Sequence, residues 1–262
     1  DGGAPFGSLI QATDGFLYGM TSSGGTNTGG TIFKISTTGT FTVLRNLAYA
    51  TDGSGPQGNL IQATDGNLYG MTSSNAKIFR ITTAGTFTIL RSLVSGTDGS
   101  YPYGSLVQAT DGKLWGVTSS GGSFGYGTIF NITTTGTFKT MKNLNATPDG
   151  RTAKGDLLIA KDGNLYGMTS LGGANNIGTI FKITPSGTYT VLRHLNMATD
   201  GGNPYGGLVL APVNNLVANT QSLTTAEDTK KAITLSGTGG SPLTYTITTA
   251  PKKGKITGAG AN

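Results

Sequence analysis

The acidic side chains are where chemistry would have to start, because glycoside cleavage needs two opposed carboxylates and a calcium site needs several oxygens at one point. The chain has 12 Asp and Glu residues. Nine of them, Asp1, Asp14, Asp52, Asp65, Asp98, Asp111, Asp149, Asp162 and Asp200, stand directly before a glycine. An Asp–Gly pair is turn chemistry: the carboxylate bonds local backbone and the glycine takes a left-handed angle. Only Asp156, Glu227 and Asp228 remain, and they supply neither an opposed pair nor enough ligands for a cation. His194 is the only histidine and there is no cysteine. That supply excludes a multi-histidine metal site, a thiolate nucleophile and a Ser–His–Asp arrangement with its orienting third group. The expectation is a non-enzymatic protein with no catalytic residue, no metal and no cofactor.

Two sets of side chains recur at equivalent places and are candidates for binding instead. Tyr18, Tyr69, Trp115 and Tyr166 share one position of a repeated motif. On a rigid frame they could stack on sugar faces, which makes them the candidate ligand-binding residues, but large aromatics usually carry core area, and the preferred reading is that they pack between repeats with a hydroxyl or indole at the rim. Arg45, Arg91, Lys142 and Arg193 form the second set. They could hold an anionic polymer, but a basic residue on a last strand also protects an edge from pairing, and that reading is preferred. His194 replaces Asn46, Ser92 and Asn143 of the other copies and reads as a surface substitution. The formal net charge is +6, yet basic residues are adjacent only at Lys230–Lys231 and Lys252–Lys253, without interleaved aromatics, so no nucleic-acid partner is expected.

The elements that would position these residues are written in a repeat. The pentapeptide LYGMT at 17–21 returns at 68–72, at 114–118 as LWGVT, and at 165–169, a spacing of about 50 residues that marks one supersecondary unit copied in tandem. Each unit reads as four short strands, in the first copy 7–13, 16–22, 31–37 and 40–47, joined by Asp–Gly and Thr–Gly turns and one Gly-rich loop. The Gly-rich loops at 23–30, 119–127 and 171–178 vary and are shortest in the second copy, as exposed loops do. The 44 glycines and 11% charged residues also argue against helices. Four-stranded units of this length suit the blades of a β-propeller, whose faces are covered by radial stacking. The predicted fold is therefore all-β, a β-propeller of four complete repeats over 1–212 with the start of a fifth.

The motif run LYGMTSSGG, then GTIFKI, a glycine turn and FTVLRNL resembles the GloVer tandem repeat of secreted bacterial proteins with varied C-terminal anchors. The texture changes after Pro212: AEDT, ITLSG, PLTYTI and PKKGKITG in 213–262 resemble the front half of a cadherin-like or Ig-like surface module, with strands expected at 232–236, 243–248 and 255–257. These resemblances imply an extracellular or cell-surface location and bring no catalytic residues with them. No apolar run approaches the ~18 residues that span a bilayer, no charged-then-apolar leader precedes the repeats, and the sequence opens in the middle of a repeat, as a mature or excised piece does. The expected function is structural or adhesive, with copies joined into a homo-oligomer or filament through terminal strands; the alternative is a lectin-like propeller that binds a surface glycan.

Overall fold

The computed structural model describes residues 1–210 and the two short strands Val217–Ala218 and Gly237–Thr238, which pair antiparallel. The chain divides into two compact units, Asp1–Leu210 and Ala211–Asn262. The strands expected at 232–236, 243–248 and 255–257, and the Ig-like reading they support, lie outside the described residues.

The first unit is a row of four antiparallel sheets. Blade one contains Ile10–Gln11, Leu17–Thr21, Thr28–Ile35 and Phe41–Ala48 in meander order, and blade two repeats this as Ile61–Gln62, Leu68–Thr72, Lys77–Ile81 and Phe87–Ser92. Blade three comprises Val107–Gln108, Leu114–Val117, Thr128–Ile132 and Phe138–Asn143; blade four comprises Leu158–Ile159, Leu165–Thr169, Thr179–Ile183 and Tyr189–His194. The Asp–Gly turns form as the residues dictate. In the first, Gly15 takes φ 84° and the Asp14 carboxylate accepts the Phe16 N–H at 3.2 Å.

Strand alternation gives every blade two apolar faces, and the row forms because each face meets the opposite face of its neighbour. Tyr18, Met20 and Ile32 of blade one pack with Leu60, Leu68, Phe79 and Ile81 of blade two. Tyr69, Met71 and Ile78 meet Leu106, Leu114, Phe130 and Ile132 in the same way, as do Trp115, Val117 and Ile129 with Leu157, Leu165, Phe181 and Ile183. One interface is thus written three times, and each large side chain fully buried in it contributes ~1.5–3 kcal/mol. The glycine inside LYGMT belongs to this packing. Gly116 lies opposite Phe130 in the register, and a Cβ there would sit 2.7 Å from the ring edge and 3.1 Å from Leu106.

The structure differs from the sequence expectation in three places. The first strand of each blade is two residues long instead of spanning 7–13, because its leading residues turn toward a common axis: a Cβ on Gly7, Gly58, Gly104 or Gly155 would meet the carbonyl oxygen of the next glycine in that series, ending at Gly206. The connectors between blades contain short helical turns at Tyr49–Asp52 and Ala146–Asp149. The connector before blade one folds back as Gly2–Gly3 to pair with Ser23–Gly24. Among the described residues no helix is long and apolar enough to cross a membrane.

Candidate functional site

Tyr18, Tyr69 and Trp115 have 0% of their surface exposed, so none of the three offers a face to a ligand. The next blade covers each of them, and they are packing residues. The three tyrosine hydroxyls of the set are engaged as well: Tyr18 donates to Asp14 at 2.6 Å, Tyr69 to Asp65 at 2.6 Å and Tyr166 to Asp162 at 2.7 Å. Burial and the neighbouring Asp65 carboxylate push the Tyr69 phenol up to about 12, and burial with Asp14 raises Tyr18 as well. Trp115 departs from the pattern, since its indole N–H is buried without a partner and Asp111 instead accepts Lys113 at 2.5 Å. Tyr166 is only half-buried, and among the described residues no complete blade follows it.

The basic column is a set of clasps, a task beyond the edge protection read from the sequence, and the connector aspartates join it while keeping their turn role: the carboxylates of Asp52, Asp98, Asp149 and Asp200 accept the N–H of Ala48, Val94, Asn145 and Asn196, and the glycine after each takes a left-handed angle. Arg45 forks onto Asp52, with Nε to Oδ2 at 2.9 Å and Nη2 to Oδ1 at 2.8 Å. Arg91 pairs with Asp98 at 2.7 Å, Lys142 with Asp149 at 2.8 Å and Arg193 with Asp200 at 2.9 Å. Asp52, Asp98 and Asp149 are buried. The first three cations also lie over an aromatic ring of the following blade: Arg45 over Phe87 at 4.9 Å, Arg91 over Phe138 at 5.1 Å and Lys142 over Tyr189 at 4.9 Å. One side chain therefore ties the outer strand of a blade, the connector and the next blade together. His194 has a local task too. Its Nδ1 accepts the Ala174 N–H at 3.2 Å, as Asn46 accepts Thr26 at 3.0 Å and Asn143 accepts Ser123 at 2.8 Å, so each holds the Gly-rich loop of its own blade.

These pairs set the pH range of stability. Burial works to raise the Asp52 carboxyl, and the hydrogen bonds from Arg45, the Ala48 N–H and Thr51, with the Arg45 charge, outweigh it and hold it below the usual carboxylate range. Asp65, Asp111, Asp162 and Asp200 are lowered in the same sense. A lowered carboxyl stabilises the fold above the unfolded value of about 4 and loses that contribution as pH falls through the folded value. The raised phenols act at the other end: their contribution is complete below the unfolded value of about 10 and is lost as pH rises further. The expected thermal-unfolding midpoint, followed by circular dichroism, is flat between about pH 5 and 9 and falls on both sides.

The residues that converge without a packing task are on the axis. The position before each axial glycine is Phe6, Gln57, Tyr103, Lys154 or Tyr205, and together these five line an open cleft of about 430 Å³. Its floor is formed by the glycines with Ser8, Asn59, Ser105 and Asp156. The floor is locked by bonds from blade to blade: Ser8 N–H to Asn59 Oδ1 at 2.5 Å, Asn59 N–H to Ser105 Oγ at 2.8 Å, and Ser105 N–H to Asp156 Oδ1 at 2.5 Å. Lys154 reaches into the mouth with its ammonium 4.4 Å from the Tyr205 ring centre and 5.8 Å from that of Tyr103. The sequence reading passed over these positions. The signal available was that they change from copy to copy beside a glycine that does not.

Residues 1–90 and 73–231 match the Gloeobacter/Verrucomicrobia repeat. The chain belongs to that family. Solved β-propellers share its architecture. Virginiamycin B lyase from Staphylococcus aureus is similar with 20% identity and a TM-score of 0.56 over 75% of this chain and 58% of the lyase. A structure in the nidogen/laminin complex gives 15% and 0.52 over 77% and 67%. The extracellular domain of BT4673 from Bacteroides thetaiotaomicron gives 13% and 0.54 over 80% and 25%. The chain thus spans little more than half the length of the lyase, and at these identities the likeness speaks for the fold alone. No curated protein matches the sequence.

Within this Gloeobacter/Verrucomicrobia repeat the side chains divide into two kinds. Those that recur in every copy, the LYGMT aromatic, its glycine and the Arg–Asp or Lys–Asp clasp, build interfaces. Those at the axial mouth vary from copy to copy, as Phe6, Gln57, Tyr103, Lys154 and Tyr205.

Proposed function

We propose that this repeat protein is a non-enzymatic structural or adhesive component of the bacterial cell exterior, and that a second copy continues its row of blades by strand pairing. The observation that carries this reading is the stretch 206–210, GGLVL, which repeats the GSLIQ of 7–11. Gly206 continues the axial glycine series, so this stretch stands where the inner strand of a fifth blade belongs. Among the described residues it has no strand partner, and Val209 is 87% exposed. Ile10–Gln11 pairs with Tyr18 and Leu17 of its own blade, and Val209 and Leu210 occupy the same register positions.

A second copy whose Leu17–Thr21 strand, paired on its other edge with Thr28–Ile35, exchanges its own Ile10–Gln11 for this stretch would bring the leading face of its first blade onto the trailing face of blade four. Those faces match. Leu9 and Phe41 are exposed and Phe33 is half-buried, whereas the later counterparts of Leu9 and Phe33 are buried and those of Phe41 half-buried; Met168 and Ile180 are half-buried and Leu192 is exposed on the other side. Uncovered faces of this kind are templates for a like partner, and a joint that does not close on itself gives a filament. The engagement of the aspartates in turns and clasps favours such a role over catalysis. The placement outside the cell rests on the likeness to secreted repeats, and the segment 213–262, read from its sequence as Ig-like, would serve as the joining piece.

Sedimentation velocity over a wide concentration range, with electron microscopy of the same samples, tests the proposal. The wild type is expected to grow into regular filaments. Val209→Pro, which removes a strand donor at a position without a backbone partner among the described residues, is expected to stay monomeric with an unchanged melting temperature. A wild-type chain that remains monomeric and folded at the highest concentration would falsify it, and a Val209→Pro protein that assembles normally would show that the joint lies elsewhere.

A further inference from the structure

We infer that the axial cleft is a binding site for an acidic sugar, a hexuronate unit of a glycan. The cleft is distinct from the end faces, and its argument stands without them.

Phe6 and Tyr205 are 67% and 64% exposed at its rim. Large aromatics in water on a rigid frame, gathered at one opening with Tyr103, are unusual without a partner to cover them. The repeat does not force them there, because the same position carries Gln57 and Lys154 in other copies. Flat aromatic faces beside a polar floor suit a pyranose ring, which has an apolar C–H face and a belt of hydroxyls; the Gln57 amide and the tyrosine hydroxyls are the side-chain groups at the rim able to bond those hydroxyls. The cleft volume of about 430 Å³ lies within the range of small-ligand sites.

The charge selects the acidic form of such a sugar. Lys154 is the one charged side chain among the five rim residues, and among the described residues no carboxylate lies within ion-pair distance of it. Its ammonium is held between two tyrosine rings, where hydration is reduced and an approaching anion is attracted more strongly than at an open surface. Asp156 in the floor makes no ion pair with Lys154; its Oδ1 accepts the Ser105 N–H at 2.5 Å, which holds the carboxylate toward blade three. A single ammonium without a nest of backbone donors matches the single charge of a carboxylate. The ring stacks on Tyr103 or Tyr205 while its carboxylate meets Lys154 from the open side.

Isothermal titration calorimetry with trisaccharides of galacturonic, glucuronic and mannuronic acid, each paired with its methyl ester, tests this. At least one acid is expected to bind with a Kd of about 1 mM or tighter, and its ester at least about tenfold more weakly. Lys154→Met and Tyr205→Ala should each weaken the acid by about tenfold without moving the melting temperature, while Lys77→Met, on a distant strand, should change nothing. No binding of any acid, equal binding of acid and ester, or binding indifferent to Lys154→Met would each overturn the assignment.

Discussion

Trp115→Ala is expected to lower the unfolding free energy by about 3–5 kcal/mol, read from chemical denaturation followed by circular dichroism. The indole is fully buried and lies in the cluster that joins blade three to blade four, with Leu157, Leu165, Phe181 and Ile183 against it. Truncation removes the area and leaves a void between two sheets that the Lys142–Asp149 clasp also joins. The conservative variant separates volume from chemistry. Trp115→Tyr keeps most of the ring, removes the unpartnered N–H and places a hydroxyl where the other copies bond an aspartate, here Asp111. It is expected to stay within about 1.5 kcal/mol of the wild type. An alanine variant as stable as the parent would mean that the blade interfaces are not what holds the row.

Gly116→Ala is expected to cost about 1–3 kcal/mol, although only one methyl is added. Gly116 does not need a left-handed angle; the cost comes from contact. The new carbon would stand 2.7 Å from the Phe130 ring and 3.1 Å from Leu106, and both neighbours are themselves pressed between blades. Because the closest contact is with the Phe130 ring, shrinking that side chain should relieve most of the clash. Phe130→Leu alone loses packing, but in the Gly116→Ala background it should cost less, with a coupling of at least about 0.5 kcal/mol in a double-mutant cycle. Additive effects would show that the ring moves freely and that glycine is there for another reason.

The contrast between these residues and the axial ones explains what the sequence reveals. The blades were legible because their cause is local and repeated: Asp–Gly turns, alternation around LYGMT and a spacing of about 50 residues leave few other folds. The core role of Tyr18 and Trp115 was half-legible, since a recurring aromatic suits either packing or binding until burial is known. The clasp was not legible. Arg45 and Asp52 are neighbours only because a helical turn at Tyr49–Asp52 brings the connector back to the outer strand, and an Asp before Gly looks the same in a turn and in an ion pair. The convergence of Phe6, Gln57, Tyr103, Lys154 and Tyr205 was hidden for a different reason. Each is about 50 residues from the next, and their closeness follows from the way successive blades share an axis, which no window along the chain contains.

The threefold identity of the blade interfaces also bears on inheritance. Since the three interfaces are built from equivalent residues, an unequal exchange between copies of the repeat in the gene, adding or removing one whole unit, is expected to create no new kind of contact. The shortened loop of the second copy shows the same freedom on a smaller scale, with Lys77 taking the strand position that Thr31 and Thr128 hold elsewhere. Length in such a lineage is expected to drift in steps of one blade, while the residues of the axial mouth differ from copy to copy beside glycines that stay the same.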